Sequence, residues 1–392
     1  MTPLFEAAGG YSAADQKSQT EFFKAHIAAH LGPVPAEPYE AYNMPYIPSP
    51  IETSINLTTR GAPKVRFWTN LGKPLDRSHA DRGAPDRDRE SLMRITRAND
   101  GDTRWMECLM SSLFPLPAQL DELRAATGPV WPYSLFCFDL DGSQRTMRAY
   151  FPVVVTCVGR SRTEVCLEAA LSLQPCGADL KPCLDLVAAY LRDNRYEAGL
   201  HMLGVDCVDP HKARLKVYMD VNSNSWNAVR DAMTLGGRLT DDHTLRGLEI
   251  LQSIYPLMRD EPEGRDDDWS KPPTNPLVAF PGLQFGIEIV AGRAVPEIKI
   301  YALLLQWTDT TEKAEKNMHS MLRKLGHEWG HKERITPTRQ AAVGDVIRGL
   351  GAVSFSYSQT KGAYASFYFD PPTDYDDRAK AEFRGLGKGG LW

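Results

Sequence analysis

Three short stretches of the chain set a basic side chain beside a tyrosine at a spacing that a β-strand turns onto one surface. In Arg214-Leu215-Lys216-Val217-Tyr218 the period-two alternation of a strand puts Arg214, Lys216 and Tyr218 on one face and Leu215 and Val217 on the other. Arg148-Ala149-Tyr150 and Lys299-Ile300-Tyr301 repeat this in reduced form, each inside a run rich in β-branched and aromatic residues. One such strand is most simply the wetted face of an antiparallel sheet. Three of them, each the second member of a strand pair, suggest a shared basic interior lined with tyrosine. The second strands contribute Arg66, Arg148, Arg214 with Lys216, and Lys299. Cations gathered in one lumen repel each other unless something anionic sits among them. A diphosphate suits the set, because arginine forks match phosphate oxygens bidentately and lysine supplies a point charge. Tyr150, Tyr218, Tyr301, Tyr364 and Tyr368 add hydroxyl donors and electron-rich faces that attract cations. That combination serves a reaction in which a diphosphate departs and leaves an allylic carbocation to be kept from water. Glu52, with Ser54 and Asn56 on its face of the first strand, would hold an N–H or O–H of an aromatic acceptor. The plainer alternative for Glu52 is an ion pair with Arg66.

The elements that must position these residues can be read in order. Apolar residues at helical spacing (Phe22, Phe23, Ile27, Leu31) predict a helix over 12–31, ended by the connector around Pro33, Pro35 and Pro38. Strand pairs are expected at 51–58 with 64–69, 135–140 with 146–157, 199–208 with 213–221, 283–290 with 296–304, and 352–357 with 363–369. Helical patterns fall at 103–113, 117–126, 162–173, 178–194, 226–233, 244–257, 311–328 and 337–350. The charged, Gly- and Pro-containing segment from Arg77 to Arg89 reads as an exposed loop, as does the acidic stretch from Asp260 to Pro276. The result is an internal ααββ repeat of about 70 residues. Its strands carry cations and phenols on one face and apolar residues on the other. If helices cover the apolar face, the polar face must border an enclosed lumen, which favours closure of the sheet.

Composition limits the function classes. The chain has 392 residues, 42% hydrophobic and 24% charged, as expected of a globular protein with a substantial core. A net charge of −5 argues against a general nucleic-acid binder, so any basic cluster is local. Seven cysteines without paired metal-ligand spacing suggest neither a disulfide framework nor a zinc site, and fit a reducing compartment. The start, Met1 to Glu6, lacks the regions of a signal peptide, and no apolar run reaches bilayer length. A cytoplasmic protein is expected, with no membrane or nucleic-acid partner.

Taken in order, Pro50-Ile51-Glu52 with Val65-Arg66-Phe67, Arg148-Ala149-Tyr150-Phe151-Pro152, Asp209-Pro210 before Arg214 to Tyr218, Thr234-Leu235-Gly236-Gly237-Arg238, Pro296 to Tyr301, and Ser354-Phe355-Ser356-Tyr357 through Tyr364 to Tyr368 carry a resemblance. The chain resembles the dimethylallyltryptophan synthase family of aromatic prenyltransferases from about residue 10 to 372. The resemblance implies an α+β architecture, the ABBA barrel of ten antiparallel strands around a chamber with helices outside, in a single domain over 1–392 with 1–11 and 373–392 as peripheral tails. It also implies transfer of a dimethylallyl group from dimethylallyl diphosphate to an aromatic ring with no metal or other cofactor, in a monomer or homodimer. By position Arg66, Arg148, Arg214, Lys216 and Lys299 would bind the diphosphate, the five tyrosines would shield the cation, and Glu52 would bind the acceptor. The chain departs from relatives that prenylate free tryptophan: Leu135 stands where they carry a catalytic lysine, His201 where they carry an arginine for the amino-acid carboxylate, and Pro152 where they have a tyrosine. Arg148 replaces a usual lysine, while Val353 and Gln359 replace a tyrosine and an arginine. These departures point to a larger indole, such as a tryptophan-containing cyclic dipeptide or an indole alkaloid, or to a phenolic polyketide. Trp68, Leu135 and His201 would line the acceptor pocket; for Trp68 a place in the core, and for His201 a purely structural role, stand as alternatives.

Two other classes compete. A non-catalytic barrel binding an anionic amphiphile would use the cations and tyrosines, yet would gain nothing from Glu52. A metal-dependent terpenoid enzyme needs Asp-rich helical motifs, and the candidates, Asp266-Asp267-Asp268 and Asp374 to Asp377, lie in a Pro-rich loop and a C-terminal stretch that read as solvated.

Overall fold

Strand alternation decides the architecture, because each strand has one face that must leave water and one that need not. In the computed structural model, which describes residues 2–31, 51–70, 84–120, 133–153, 159–193, 195–262, 264–274, 282–333, 335, 349–358 and 360–370, ten strands close into one antiparallel barrel. They are β1 (Ile51–Thr58), β2 (Gly61–Asn70), β3 (Leu135–Asp141), β4 (Gln144–Pro152), β5 (Gly199–Asp206), β6 (Arg214–Val221), β7 (Leu283–Val290), β8 (Glu297–Leu303), β9 (Gly349–Ser358) and β10 (Gly362–Asp370). Each pairs with its neighbours in sequence, and β1 closes the ring by pairing with β10, Thr53 opposite Phe369 and Thr58 opposite Tyr364. The hairpin turns into β4 and β10 hold Gly142 and Gly362 at φ 56° and 65°, a left-handed backbone that favours glycine.

A pair of helical segments precedes every hairpin: Thr2–Ala8 and Ala13–Phe22, Ala84–Ala98 and Arg104–Leu113, Arg162–Leu171 and Gly177–Asp193, Trp226–Met233 and Asp242–Met258, and the short Leu304–Trp307 with Thr311–Lys324. Side chains of Ser225, Asp241 and Thr310 accept from the backbone N–H groups of Ala228, Thr244 and Lys313, fixing three helix starts. Arg104–Leu113 shows how the outer layer is held, since Trp105, Met106, Leu109, Met110 and Leu113 form one buried stripe. Outward-facing strand residues such as Phe67, Phe138, Val217, Ile287 and Phe367 are fully buried beneath this layer. Each contributes about 1.5–3 kcal/mol through removal from water, so the core lies between sheet and helices and leaves the barrel interior free for polar groups.

Three expectations are corrected. Residues 84–98, assigned in part to a loop over 77–89, form a helix: Leu92 and Ile95 are buried, and the charges of Asp86 to Glu90 crowd its first turns. Residues 2–11 are packed against the barrel rather than forming a peripheral tail as expected of 1–11. Leu4 and Phe5 are buried in the core, and the Tyr11 hydroxyl donates to the Leu140 carbonyl at 2.7 Å and accepts from the Val65 N–H at 2.8 Å. The helix of 12–31 changes character after Phe22, with a π-helical turn at Phe23–Ile27 and a 3-10 turn at Ala28–His30. The expected connector at Pro33 to Pro38, most of the helical patterns at 117–126 and 337–350, Gln359 and the tail 373–392 lie outside the described residues. Among the described residues no helix is long and apolar enough to cross a membrane.

Candidate active site

Because all neighbours are antiparallel, the even-numbered strands run in one direction. On four of them an aromatic residue follows a cation by one lumenal position: Arg66 and Trp68 on β2, Arg148 and Tyr150 on β4, Lys216 and Tyr218 on β6, Lys299 and Tyr301 on β8. The barrel therefore stacks a charged layer beneath an aromatic one. All five expected cations are brought together in the charged layer.

Three carboxylates that the sequence reading overlooked share that layer. Asp139 on β3 pairs with both Arg66 and Arg148. Asp206 on β5 lies 2.8 Å from Arg148 Nε and 2.6 Å from Arg214 Nε. Glu288 on β7 meets Arg214 at 2.8 Å and Lys216 at 3.4 Å. Burial alone would raise all three carboxyl pKa values, but Arg148 and Arg66 hold Asp139 far below the usual range, Arg148 and Arg214 lower Asp206, and Lys216 and Arg214 lower Glu288. The cations thus alternate with anions from the odd strands, and five positive groups face three negative ones. The lysines bear the imbalance. Burial pushes Lys216 down to about 7, with Arg148 adding to the shift and Glu288 opposing it. Lys299 is likewise brought to about 7 by burial, opposed by Glu288 and reinforced by Arg66. Lys299 Nζ stands 4.1 Å over the Tyr364 ring, and the Tyr364 hydroxyl accepts from Arg66 Nη2 at 3.3 Å.

Above the charges, Tyr150, Tyr218, Tyr301 and Tyr368 form a belt with successive ring centroids 5.9, 6.0 and 6.3 Å apart. Two glycines seat them. A Cβ on Gly204 would lie 2.5 Å from Tyr150 Cδ1, and one on Gly286 would lie 3.2 Å from Tyr301 Cε2 and 3.5 Å from Tyr218 Cε1. Gly204→Ala is accordingly expected to cost about 1–3 kcal/mol by overpacking, whereas Gly199→Ala on the same strand meets nothing within 4 Å. Thermal melts of both variants check this; equal melting temperatures would mean the Tyr150 ring moves aside freely.

Glu52 is half-buried on the lumenal face of β1, opposite Trp68. It lies close enough to Tyr368 to help raise that phenol, which burial chiefly pushes up to about 12. Arg66 is bound by Asp139 and stands opposite Ser54, one lumenal position away from the Glu52–Trp68 pair. Trp68 packs in the lumen with Leu135, Cys137, Tyr150, Tyr218, Met202 and Tyr301, a cluster separate from the outer core. Val353 faces the outer core instead. His201 sits in a β-bulge: Leu200 pairs with Met219 and Met202 with Tyr218, so His201 is the extra residue. Its Nδ1 lies 3.0 Å from Asp220 Oδ2. In the acidic loop, Asp268 accepts from Asn227 Nδ2 and Asp267 from the Asn227 N–H, tying that loop to a helix. Among the described residues no cluster of His, Cys, Asp and Glu has the form of a metal site.

Comparison with known proteins places this geometry in context. Residues 1–336 match the profile of the tryptophan dimethylallyltransferase family. The chain is 41% identical over 389 residues to the indole prenyltransferase tdiB of Emericella nidulans, covering 95% of this chain and 93% of that protein. It is 31% identical over 395 residues to the O-glucose prenyltransferase PaPT of Phomopsis amygdali, covering 94% and 86%. Among solved structures, AnaPT from Neosartorya fischeri superposes with a TM-score of 0.73 at 21% identity, covering 94% of this chain and 90% of that one. NotF in complex with brevianamide F and DMSPP superposes with a TM-score of 0.72 at 20% identity, covering 95% and 92%. Both likenesses establish the ABBA barrel as the shared fold.

Proposed function

The chain belongs to the tryptophan dimethylallyltransferase family and is an aromatic prenyltransferase, and from that premise we propose how its own chamber carries the reaction. The donor is dimethylallyl diphosphate and the acceptor an indole larger than free tryptophan, such as a cyclic dipeptide or an indole alkaloid. The observation that carries this reading is the aromatic layer above the charged one, in which the tyrosine belt and the Glu52–Trp68 pair lie side by side. Arg66, Arg148, Arg214, Lys216 and Lys299 hold the diphosphate. The C–O bond to the dimethylallyl carbon breaks with its electron pair leaving on the diphosphate. The ring faces of Tyr150, Tyr218, Tyr301, Tyr364 and Tyr368 stabilise the allylic cation and exclude water. A ring carbon of the acceptor supplies the pair for the new C–C bond, and the proton on that carbon then passes to the departed diphosphate, which restores aromaticity. Glu52 accepts the indole N–H and stabilises the positive charge that the ring acquires. Trp68 and Leu135 pack against the acceptor.

Incubation with dimethylallyl diphosphate and a panel of indoles and phenols, with excess EDTA, tests this. A product heavier by one prenyl unit is expected from an indole without added metal. Turnover that is abolished by EDTA and restored only by magnesium would overturn the metal-independent step, and transfer to phenols alone would overturn the acceptor class.

The two lysines give the donor a pH dependence. With pKa values near 7 in the free protein, each loses its charge as the pH rises through 7, whereas a bound diphosphate favours the charged form. Donor binding therefore takes up protons above pH 7, and affinity for a non-hydrolysable donor analogue is expected to fall by about tenfold or more between pH 6 and pH 8. Calorimetry in buffers of different ionisation enthalpy reads the uptake directly. A flat profile from pH 6 to 9 would mean both lysines stay charged throughout.

A further inference from the structure

Besides Glu52, another lumenal carboxylate lies outside the charged layer. Asp139, Asp206 and Glu288 are each bound by an arginine or lysine. Asp220 lies one lumenal position beyond Tyr218 on β6, past the tyrosine belt, and its ion partner is His201, with Nδ1 3.0 Å from Oδ2. The other oxygen, Oδ1, is buried and has no hydrogen-bond partner among the described residues. The bulge in β5 places the His201 ring 6.2 Å from that of Tyr218. Gln284, directly opposite Asp220 on β7, brings its side-chain nitrogen within 3.0 Å of His201 Nε2. With the amide donating to Nε2, the imidazole proton falls on Nδ1, 3.0 Å from Asp220 Oδ2. One carboxylate oxygen thus faces the ring at ion-pair distance, and the other, Oδ1, faces no donor among the described residues. A desolvated carboxylate oxygen without a donor is costly, and a ligand N–H that reaches it offsets that cost. Asp220 also stands on the wall facing Glu52, because β6 is five places from β1 in either direction round the ring.

We propose that Asp220, oriented by His201 and Gln284, is a second recognition point for the acceptor: it takes an N–H, O–H or ammonium group carried away from the prenylated ring, and it repels a carboxylate there. This rests on the acceptor reading above and narrows its class. Glu52 and Asp220 then grip two donors at opposite ends of one molecule.

The test is calorimetric binding of 3-alkylindoles ending in an amine, a methyl or a carboxylate, with tethers of two and of four methylenes, to protein loaded with a non-hydrolysable donor analogue. At one tether length the amine is expected to bind about tenfold or more tighter than the methyl compound, and the carboxylate more weakly still. Asp220→Asn should bring all three within about threefold while donor-analogue affinity stays unchanged. His201→Ala should weaken the order without abolishing it, as a positioning role requires. The proposal is overturned if the wild-type protein shows no such order at either length, or if folded Asp220→Asn keeps it. The order is read without turnover, so failure to form prenylated product counts against the acceptor reading alone, and absence of the order in the wild-type protein, or its persistence in Asp220→Asn, counts against Asp220 alone.

Discussion

Glu52→Gln is expected to lower kcat by about 10²-fold or more, the scale typical of losing a positioned acid–base group, with donor affinity unchanged. The contact strengthens as the ring becomes cationic during attack, so it belongs to the transition state more than to the ground state. Glutamine keeps the shape and one acceptor oxygen and removes the charge. Glu52 lies opposite Trp68 and beside Tyr368, whereas the guanidinium of Arg66 is bound by Asp139. Steady-state kinetics together with titration of a donor analogue separate the two possible roles. Near-normal turnover in the variant, or a loss of donor affinity instead, would return Glu52 to the status of an ion-pair partner and require the acceptor to be placed elsewhere.

Asp139→Asn should be the most destabilising change in the charged layer, at about 3 kcal/mol. That value is the low end for breaking a buried pair, chosen because the Asp139 side chain keeps 21% of its surface accessible. The loss arises because one carboxylate covers two guanidinium groups, Arg66 and Arg148, that are 9% and 5% exposed. Added inorganic diphosphate should raise the melting temperature of the variant by more than that of the wild type, since the anion restores the missing countercharge. An unchanged melting temperature without ligand would show that solvent, with Asp206 beside Arg148, covers the two arginines well enough without Asp139.

What the sequence made legible follows from local periodicity. Arg214, Lys216 and Tyr218 share a face because a strand repeats every second residue, and the same rule recovered every hairpin and the shared face of the basic and tyrosine side chains. The helix Ala84–Ala98 escaped because five consecutive charged residues, Asp86 to Glu90, mask the stripe that Leu92 and Ile95 complete. Asp139, Asp206 and Glu288 alternate in phase with the lumen, and a search of the first strand of each pair for acids would have found them. No one-dimensional signal reveals the bulge at His201 or the fit of Gly204 beneath Tyr150. Both depend on the register of one strand against another, which is set by contacts distant in sequence.

Closure of the ring by β1 and β10 has a consequence for synthesis. Thr53 and Phe369 face each other across that seam, so the seam cannot form until the chain as far as Phe369 has left the ribosome. Until then β1 exposes an unpaired edge, the kind of surface on which nascent sheets join to one another. Contacts this distant in sequence are also slow to form. Loss of β10 by truncation would unseal the chamber and leave two permanent edges, so aggregation, rather than a weakened enzyme, is the outcome to expect from a premature stop anywhere before Gly362.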